Sequence, residues 1–172
     1  LKRTVLIVDD DEVVRKQLEN ELRRAYFTPL SASNGAEALK LVTSMKIDII
    51  LLDVKLPDMD GIDLLEQVKA KNPTCEAVVI TGYGGEEIAI RALRKGAIDY
   101  IEKPINMEEL SAALGRAQEK LTQTQELSYR NTLLITDDEE QVVVRLKRFL
   151  EKEGFLVFGS TSAKEGLEII AQ

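Results

Sequence analysis

Between Thr4 and Ile101 the chain alternates five short apolar runs with amphipathic stretches: Thr4 to Val8, Phe27 to Ala32, Ile47 to Leu52, Ala77 to Thr81 and Ile98 to Ile101. Each run is of strand length, and the stretches between them space their apolar residues as helices do. Asn34 with Glu37, and Asn106 with Glu109, have capping-box spacing, while Gly61 and Pro73 bracket the third helix. This alternation predicts an α/β fold, a doubly wound (βα)5 parallel sheet with helices on both faces. Pro29 lies inside the second run and cannot donate a ladder hydrogen bond, so that strand belongs at a sheet edge. The strand order 2-1-3-4-5 puts it there.

The pattern then starts again. An ungapped match at an offset of 128 sets Thr4, Leu6, Ile7, Asp9, Asp10 and Glu12 against Thr132, Leu134, Ile135, Asp137, Asp138 and Glu140. It continues with Val14, Leu18, Leu22, Phe27, Glu37 and Leu39 against Val142, Leu146, Leu150, Phe155, Glu165 and Leu167. The expected organisation is a domain over residues 1–121, a helical linker over 122–130, and a βαβα opening half of a second copy over 131–172. Leu110, Leu114, Ala117 and Leu121 form a stripe on the helix entering the linker, which either packs on its own sheet or forms a dimer seam. In the half copy, with strands expected at Leu133 to Thr136 and Phe155 to Phe158, the first strand lacks the third strand that should pair with it. A homodimer with antiparallel order 2-1-1-2 is one expected solution, and docking on the first domain is the other.

Composition narrows the class. Hydrophobic residues make up 44% and charged residues 31%, a balance that can bury a core. The formal charge of −7 argues against direct nucleic-acid binding. The sequence holds no histidine and one cysteine, Cys75, which excludes Ser-His-Asp chemistry, histidine metal sites and disulfide frameworks. No apolar run approaches the ~20 residues of a membrane span, and the start does not resemble a signal peptide, so a cytoplasmic setting is expected.

Against that background the residues at the strand ends stand out. Asp9, Asp10, Asp11 and Glu12 follow the first strand, Asp53 ends the third, Thr81 the fourth and Lys103 the fifth. Each alone has an ordinary surface or capping explanation. Together they converge on the crevice outside the carboxyl ends of the strands, where open parallel sheets bind ligands. Asp9, Asp10 and Asp53 brought close repel one another, which calls for a divalent cation, and Mg2+, with its preference for hard oxygen ligands, fits best. The same acids disfavour a flavin phosphate after the first strand.

Ile7-Val8-Asp9-Asp10, Asp53 with Leu56-Pro57-Asp58-Met59-Asp60-Gly61, Thr81-Gly82 and Tyr100-Ile101-Glu102-Lys103-Pro104 resemble the response regulator receiver domain of two-component signalling. The resemblance implies a flavodoxin-like fold and a phosphorelay role, with Asp53 accepting phosphate from a histidine kinase or phosphotransfer protein. It implies that Mg2+ is held by Asp10, Asp53 and the Lys55 backbone carbonyl, with Asp9 acting through water. Lys103 would pair with phosphoryl oxygens, and Thr81 would donate its hydroxyl and, with Tyr100, form a switch that alters the surface of the fourth helix, fifth strand and fifth helix. Position alone does not exclude a half-buried strand tyrosine at Tyr100, and its spacing three before Lys103 favours the switch. A cis peptide is expected between Lys103 and Pro104. Lys55 and Tyr83 flank the approach of hydrolytic water, where Tyr83 either shields the phosphate or faces solvent.

Two rivals remain. One is a scaffold of the same fold that is never phosphorylated; loss of an acid or of Lys103 would have favoured it, and both are present. The other is an aspartate-nucleophile phosphatase of the haloacid dehalogenase type, which wants a second aspartate two residues on, where this chain has Lys55. A regulatory phosphoacceptor is therefore expected rather than a turnover enzyme, with its output in a longer parent protein.

Overall fold

The computed structural model describes residues 2–82 and 85–171, with residues 126–130 described by their backbone alone. The chain divides into two compact units, Leu1–Leu121 and Thr122–Gln172. Unit 1 runs β1 (Thr4–Val8), α1 (Glu12–Arg24), β2 (Thr28–Ala32), α2 (Gly35–Ser44), β3 (Ile49–Leu52), α3 (Gly61–Lys71), β4 (Glu76–Thr81), α4 (Glu86–Arg94) and β5 (Ala97–Glu102), and α5 (Met107–Arg130) continues into unit 2. The five strands are parallel in the order β2-β1-β3-β4-β5. Pro29 lies on the edge strand, in register with Val5.

Strand periodicity builds two cores. Leu6, Val8, Ile50, Leu52, Ala77 and Val79 face a cluster with Ala38, Val42, Ile62, Leu65 and Ala92 of α2, α3 and α4. Their alternates Val5, Ile7, Ile49, Leu51, Val78 and Ile80 face α1 and α5. A strand covered on both faces needs apolar residues at successive positions, which is why the inner strands β1, β3 and β4 read as nearly unbroken apolar runs. The Leu110, Leu114, Ala117 and Leu121 stripe belongs to the second cluster, so it packs on its own sheet.

The strand limits depart from the apolar runs for identifiable reasons. β2 starts after Phe27 because the Phe27 amide closes α1 by donating to the Leu22 carbonyl at 2.9 Å, while the Tyr26 amide donates to Arg23. β3 starts after Ile47, whose carbonyl accepts from the Asn72 side chain at 2.9 Å. β4 begins one residue early, at Glu76, whose buried carboxylate meets Lys120 at 3.0 Å and Lys69 at 3.6 Å. β5 gains Ala97, which is buried against the sheet, and Glu102, which aligns with Thr81.

Unit 2 holds β6 (Thr132–Thr136), α6 (Glu140–Lys152), β7 (Leu156–Ser160) and α7 (Ala163–Ile170), with β6 and β7 parallel. Each element begins 128 positions after its counterpart in unit 1, and the β6–β7 register repeats the β1–β2 register residue for residue. Local chemistry repeats as well. Phe155 donates to Leu150 as Phe27 does to Leu22, so β7 too starts one residue later than the apolar run. Glu165 accepts from the Thr161 amide as Glu37 does from Ser33, and the Asn34 cap becomes Ser162.

The helix-ending residue differs in an informative way. Gly154 takes φ 89° after α6, and the equivalent after α1 is Tyr26 at φ 62°. A left-handed tyrosine clashes at its Cβ where glycine does not. Tyr26→Gly is expected to stabilise unit 1 by about 0.5–1 kcal/mol and Gly154→Ala to weaken unit 2 by a similar amount. Thermal denaturation of both variants checks the signs.

Candidate functional site

The crevice at the carboxyl ends of β1, β3, β4 and β5 is built from backbone continuity. The Asp53 amide donates to the Val8 carbonyl at 2.8 Å and the Asp9 amide to Ala32 at 3.2 Å, so both acids extend the ladder by one residue. The Lys103 amide donates to the Thr81 carbonyl at 3.0 Å, which ties the end of β5 to the end of β4. Gly82 lies against the lysine stem: a Cβ there would make ordinary van der Waals contact, 3.9 Å, with the Lys103 Cβ and Cδ. The Lys103–Pro104 peptide is cis.

These ends bring together residues far apart in sequence. Lys103 Nζ donates to Asp53 Oδ2 at 2.6 Å and to Asp9 Oδ2 at 2.7 Å. Carboxylate oxygens of Asp9, Asp10 and Asp53 lie within 4.8 Å of one another, with Asp9 and Asp53 buried and Asp10 exposed. Thr81 is buried beside them at the end of β4. The Lys55 amide donates to Asp53 Oδ1 at 3.1 Å. Three carboxylates face one ammonium, and all their donor atoms are hard oxygens, so the set fits a small divalent cation such as Mg2+.

Electrostatics follow from burial. Burial raises the Asp9 pKa above the usual carboxylate range, and bonds from Lys103 and from the Asp11 amide oppose the rise without cancelling it. Burial alone would lower the Lys103 pKa, but its bonds to Asp53 and Asp9 outweigh that and hold the ammonium above its ordinary value. Tyr100, half-buried on β5, is raised by burial and by Glu102, whose Oε1 its hydroxyl meets at 3.4 Å. Cys75 takes no part: burial pushes its thiol up to about 12.

Residues 5–115 match the response regulator receiver domain. The chain belongs to the response regulator receiver family. Over 114 residues it is 40% identical to a cyclic di-GMP phosphodiesterase of Thermotoga maritima, a match covering 66% of this chain and 30% of that protein. It is 33% identical over 132 residues to the regulatory protein AtoC of Escherichia coli, covering 77% of this chain and 29% of that one. The chain thus spans under a third of these relatives. A CheY-like receiver domain protein from Methanospirillum hungatei superposes with a TM-score of 0.66 at 31% identity, covering 73% of this chain and 98% of that structure.

The receiver uses residues that pattern reading passed over. Asp58 accepts from the Gly35 and Ala36 amides, both at 2.9 Å, and these bonds lower its pKa while tying the loop after β3 to the start of α2. Asp60 caps α3 through the Ile62 amide at 2.7 Å. Arg15 donates to the Asp9 carbonyl at 2.7 Å. The Arg15 contact has no local signal, whereas Asp60 just before Gly61 carries a readable N-cap pattern. Tyr83 lies outside the described residues.

Two expectations follow. A Cβ on Gly61 would lie 2.0 Å from the Asp53 carbonyl oxygen and 2.8 Å from Val54 Cα, both backbone atoms that cannot yield easily. Gly61→Ala should therefore destabilise unit 1 by about 1–3 kcal/mol, measured by urea denaturation. A carboxyl whose folded pKa is raised contributes stability below its unfolded pKa, roughly pH 4, and loses it as pH rises through the folded value. The melting temperature of Asp9→Asn relative to the parent should accordingly be more favourable at pH 7 than at pH 4; an unchanged difference contradicts the burial argument.

Proposed function

We propose that unit 1 accepts a phosphoryl group on Asp53 from the phosphohistidine of a histidine kinase or phosphotransfer protein, within a two-component phosphorelay. The observation that carries this reading is the Lys103 ammonium bridging Asp53 and Asp9 beside Asp10, at the carboxyl ends of the strands. An Asp53 oxygen attacks phosphorus in line, a P–O bond forms, and the P–N bond breaks with its electron pair passing to the imidazole nitrogen. No general base is needed, since a carboxylate is nucleophilic as it stands. Lys103 pairs with the transferring oxygens, and the Thr81 hydroxyl donates to another.

Asp10, Asp53 and the Lys55 backbone carbonyl would hold Mg2+, with Asp9 acting through water. The ion, when bound, compensates the negative charge that gathers as phosphate approaches the acids. The remaining positioning comes from the strand ends, which fix Asp53, Thr81 and Lys103 without loop ordering. Thr81 and Tyr100 form the switch: new bonds to the phosphoryl group draw Thr81 in, Tyr100 repacks, and the α4-β5-α5 surface shifts between two arrangements. Differential contacts of ~1–3 kcal/mol give a bias of ~5- to 150-fold. Unit 1 is then a regulatory acceptor, followed by the helical linker over 122–130 and the opening half of a second receiver over 131–172.

Incubation with a small acyl phosphate and Mg2+, followed by intact-mass measurement, tests the reading. One phosphoryl addition is expected, lost in Asp53→Asn and strongly reduced by EDTA. Equal addition to the variant, or addition indifferent to EDTA, overturns the assignment.

A further inference from the structure

Of the three clustered acids, Asp10 alone has an exposed carboxylate with no hydrogen bond among the described residues. Its place is therefore set through its backbone. After it, the Asp11 amide donates to Asp9 Oδ1 at 2.9 Å, and the Asp11 carboxylate caps α1 through the Val13 amide at 2.8 Å. Before it, the Asp9 carbonyl accepts from Arg15 Nη1 at 2.7 Å. A peptide unit is planar, so a bond that fixes the Asp9 carbonyl also fixes the plane leading into Asp10.

Helix energetics alone would not put a cation at this position. Arg15 is the fourth residue of α1, near the positive end of the helix dipole, where an anion is favoured. The arginine is also peculiar to unit 1. At the offset of 128 its counterpart is Val143. The acidic pair there keeps the other loop bonds: the Asp137 amide donates to Ser160 as the Asp9 amide does to Ala32, and the Glu139 amide donates to Asp137 Oδ1 at 2.9 Å as that of Asp11 does to Asp9. No side chain meets the Asp137 carbonyl among the described residues. The neighbouring strand differs in step. Ser31, whose hydroxyl donates to Glu19 one turn along α1 from Arg15, is replaced by Gly159, where a Cβ would lie 2.5 Å from Val143 Cγ1.

We propose that Arg15 is a positioning residue for Asp10: by holding the Asp9 carbonyl it sets the plane of the Asp9–Asp10 peptide and aims the Asp10 carboxylate at the cation. The proposal rests on the Mg2+ reading given above. Two effects of the residue oppose each other. As a charge, Arg15 repels a divalent cation; as a clamp, it spares Asp10 an ordering cost when the cation binds. The clamp is the larger effect, because the charge acts through solvent from a half-buried side chain.

The opposed signs make the test decisive. Calorimetric titration of Mg2+ into the full chain should show binding at least threefold weaker in Arg15→Met, although a cation has been removed. Arg15→Lys should recover most of that loss, since a single N–H makes the contact. In the metal-free chain the Asp11 amide should exchange its hydrogen at least fivefold faster in Arg15→Met and close to the parent rate in Arg15→Lys. Loss of a positive charge by itself slows base-catalysed exchange, so a faster rate reports the clamp. Mg2+ binding that is unchanged or tighter in Arg15→Met overturns the proposal, as does a lysine variant no better than the methionine one. If the parent chain binds no Mg2+ while Asp11 exchange still rises in Arg15→Met, the metal reading fails and the clamp stands; unchanged exchange overturns the clamp.

Discussion

Asp9 and Asp53 end neighbouring strands, and the Lys103 ammonium lies between them at 2.7 and 2.6 Å. Two buried carboxylates side by side would oppose folding without that charge, and burial costs the lysine less because both acids hold its proton. The contact reaches back 94 residues to Asp9 and 50 to Asp53. The order β2-β1-β3-β4-β5 sets the ends of β1 and β3 side by side with that of β5 within reach of the lysine side chain, so the sheet order is a condition of this contact.

Around this bridge the loops act as fixed supports. Asp58 ties the loop after β3 to the start of α2, Asp60 caps α3, and Gly61 lets the helix approach the Asp53 backbone. The acids of this region therefore divide between two tasks. Asp9, Asp10 and Asp53 gather at the Lys103 ammonium, whereas Asp58 and Asp60 accept from backbone amides at helix starts. The first group is clustered and under-compensated, which is what a binding crevice requires.

Legibility in the sequence followed the range of the interaction. Periodicity, Pro29 and the offset of 128 were local, and they marked the five strands, the edge position and the repeated elements. The convergence of Asp9, Asp10, Asp53 and Lys103 followed once strand order was known. Phe27 and Phe155 were misread as strand because they are apolar, yet each amide closes the preceding helix. The Asp58 clamp spans more than twenty residues between loops, and nothing at Asp58 itself distinguishes it from an ordinary turn aspartate. Tyr26 in a left-handed conformation shows the reverse case, where a tertiary closure overrides what the residue prefers.

The central claim is that Lys103 and the proposed cation would share the Asp53 carboxylate and act side by side at Asp9. Calorimetric titration of Mg2+ into the full chain and into Lys103→Met addresses it directly. Removing a positive charge from beside Asp9 and Asp53 should tighten Mg2+ binding by roughly tenfold or more, while slowing phosphoryl transfer from an acyl phosphate. Binding that weakens or stays the same on loss of the ammonium would contradict the account.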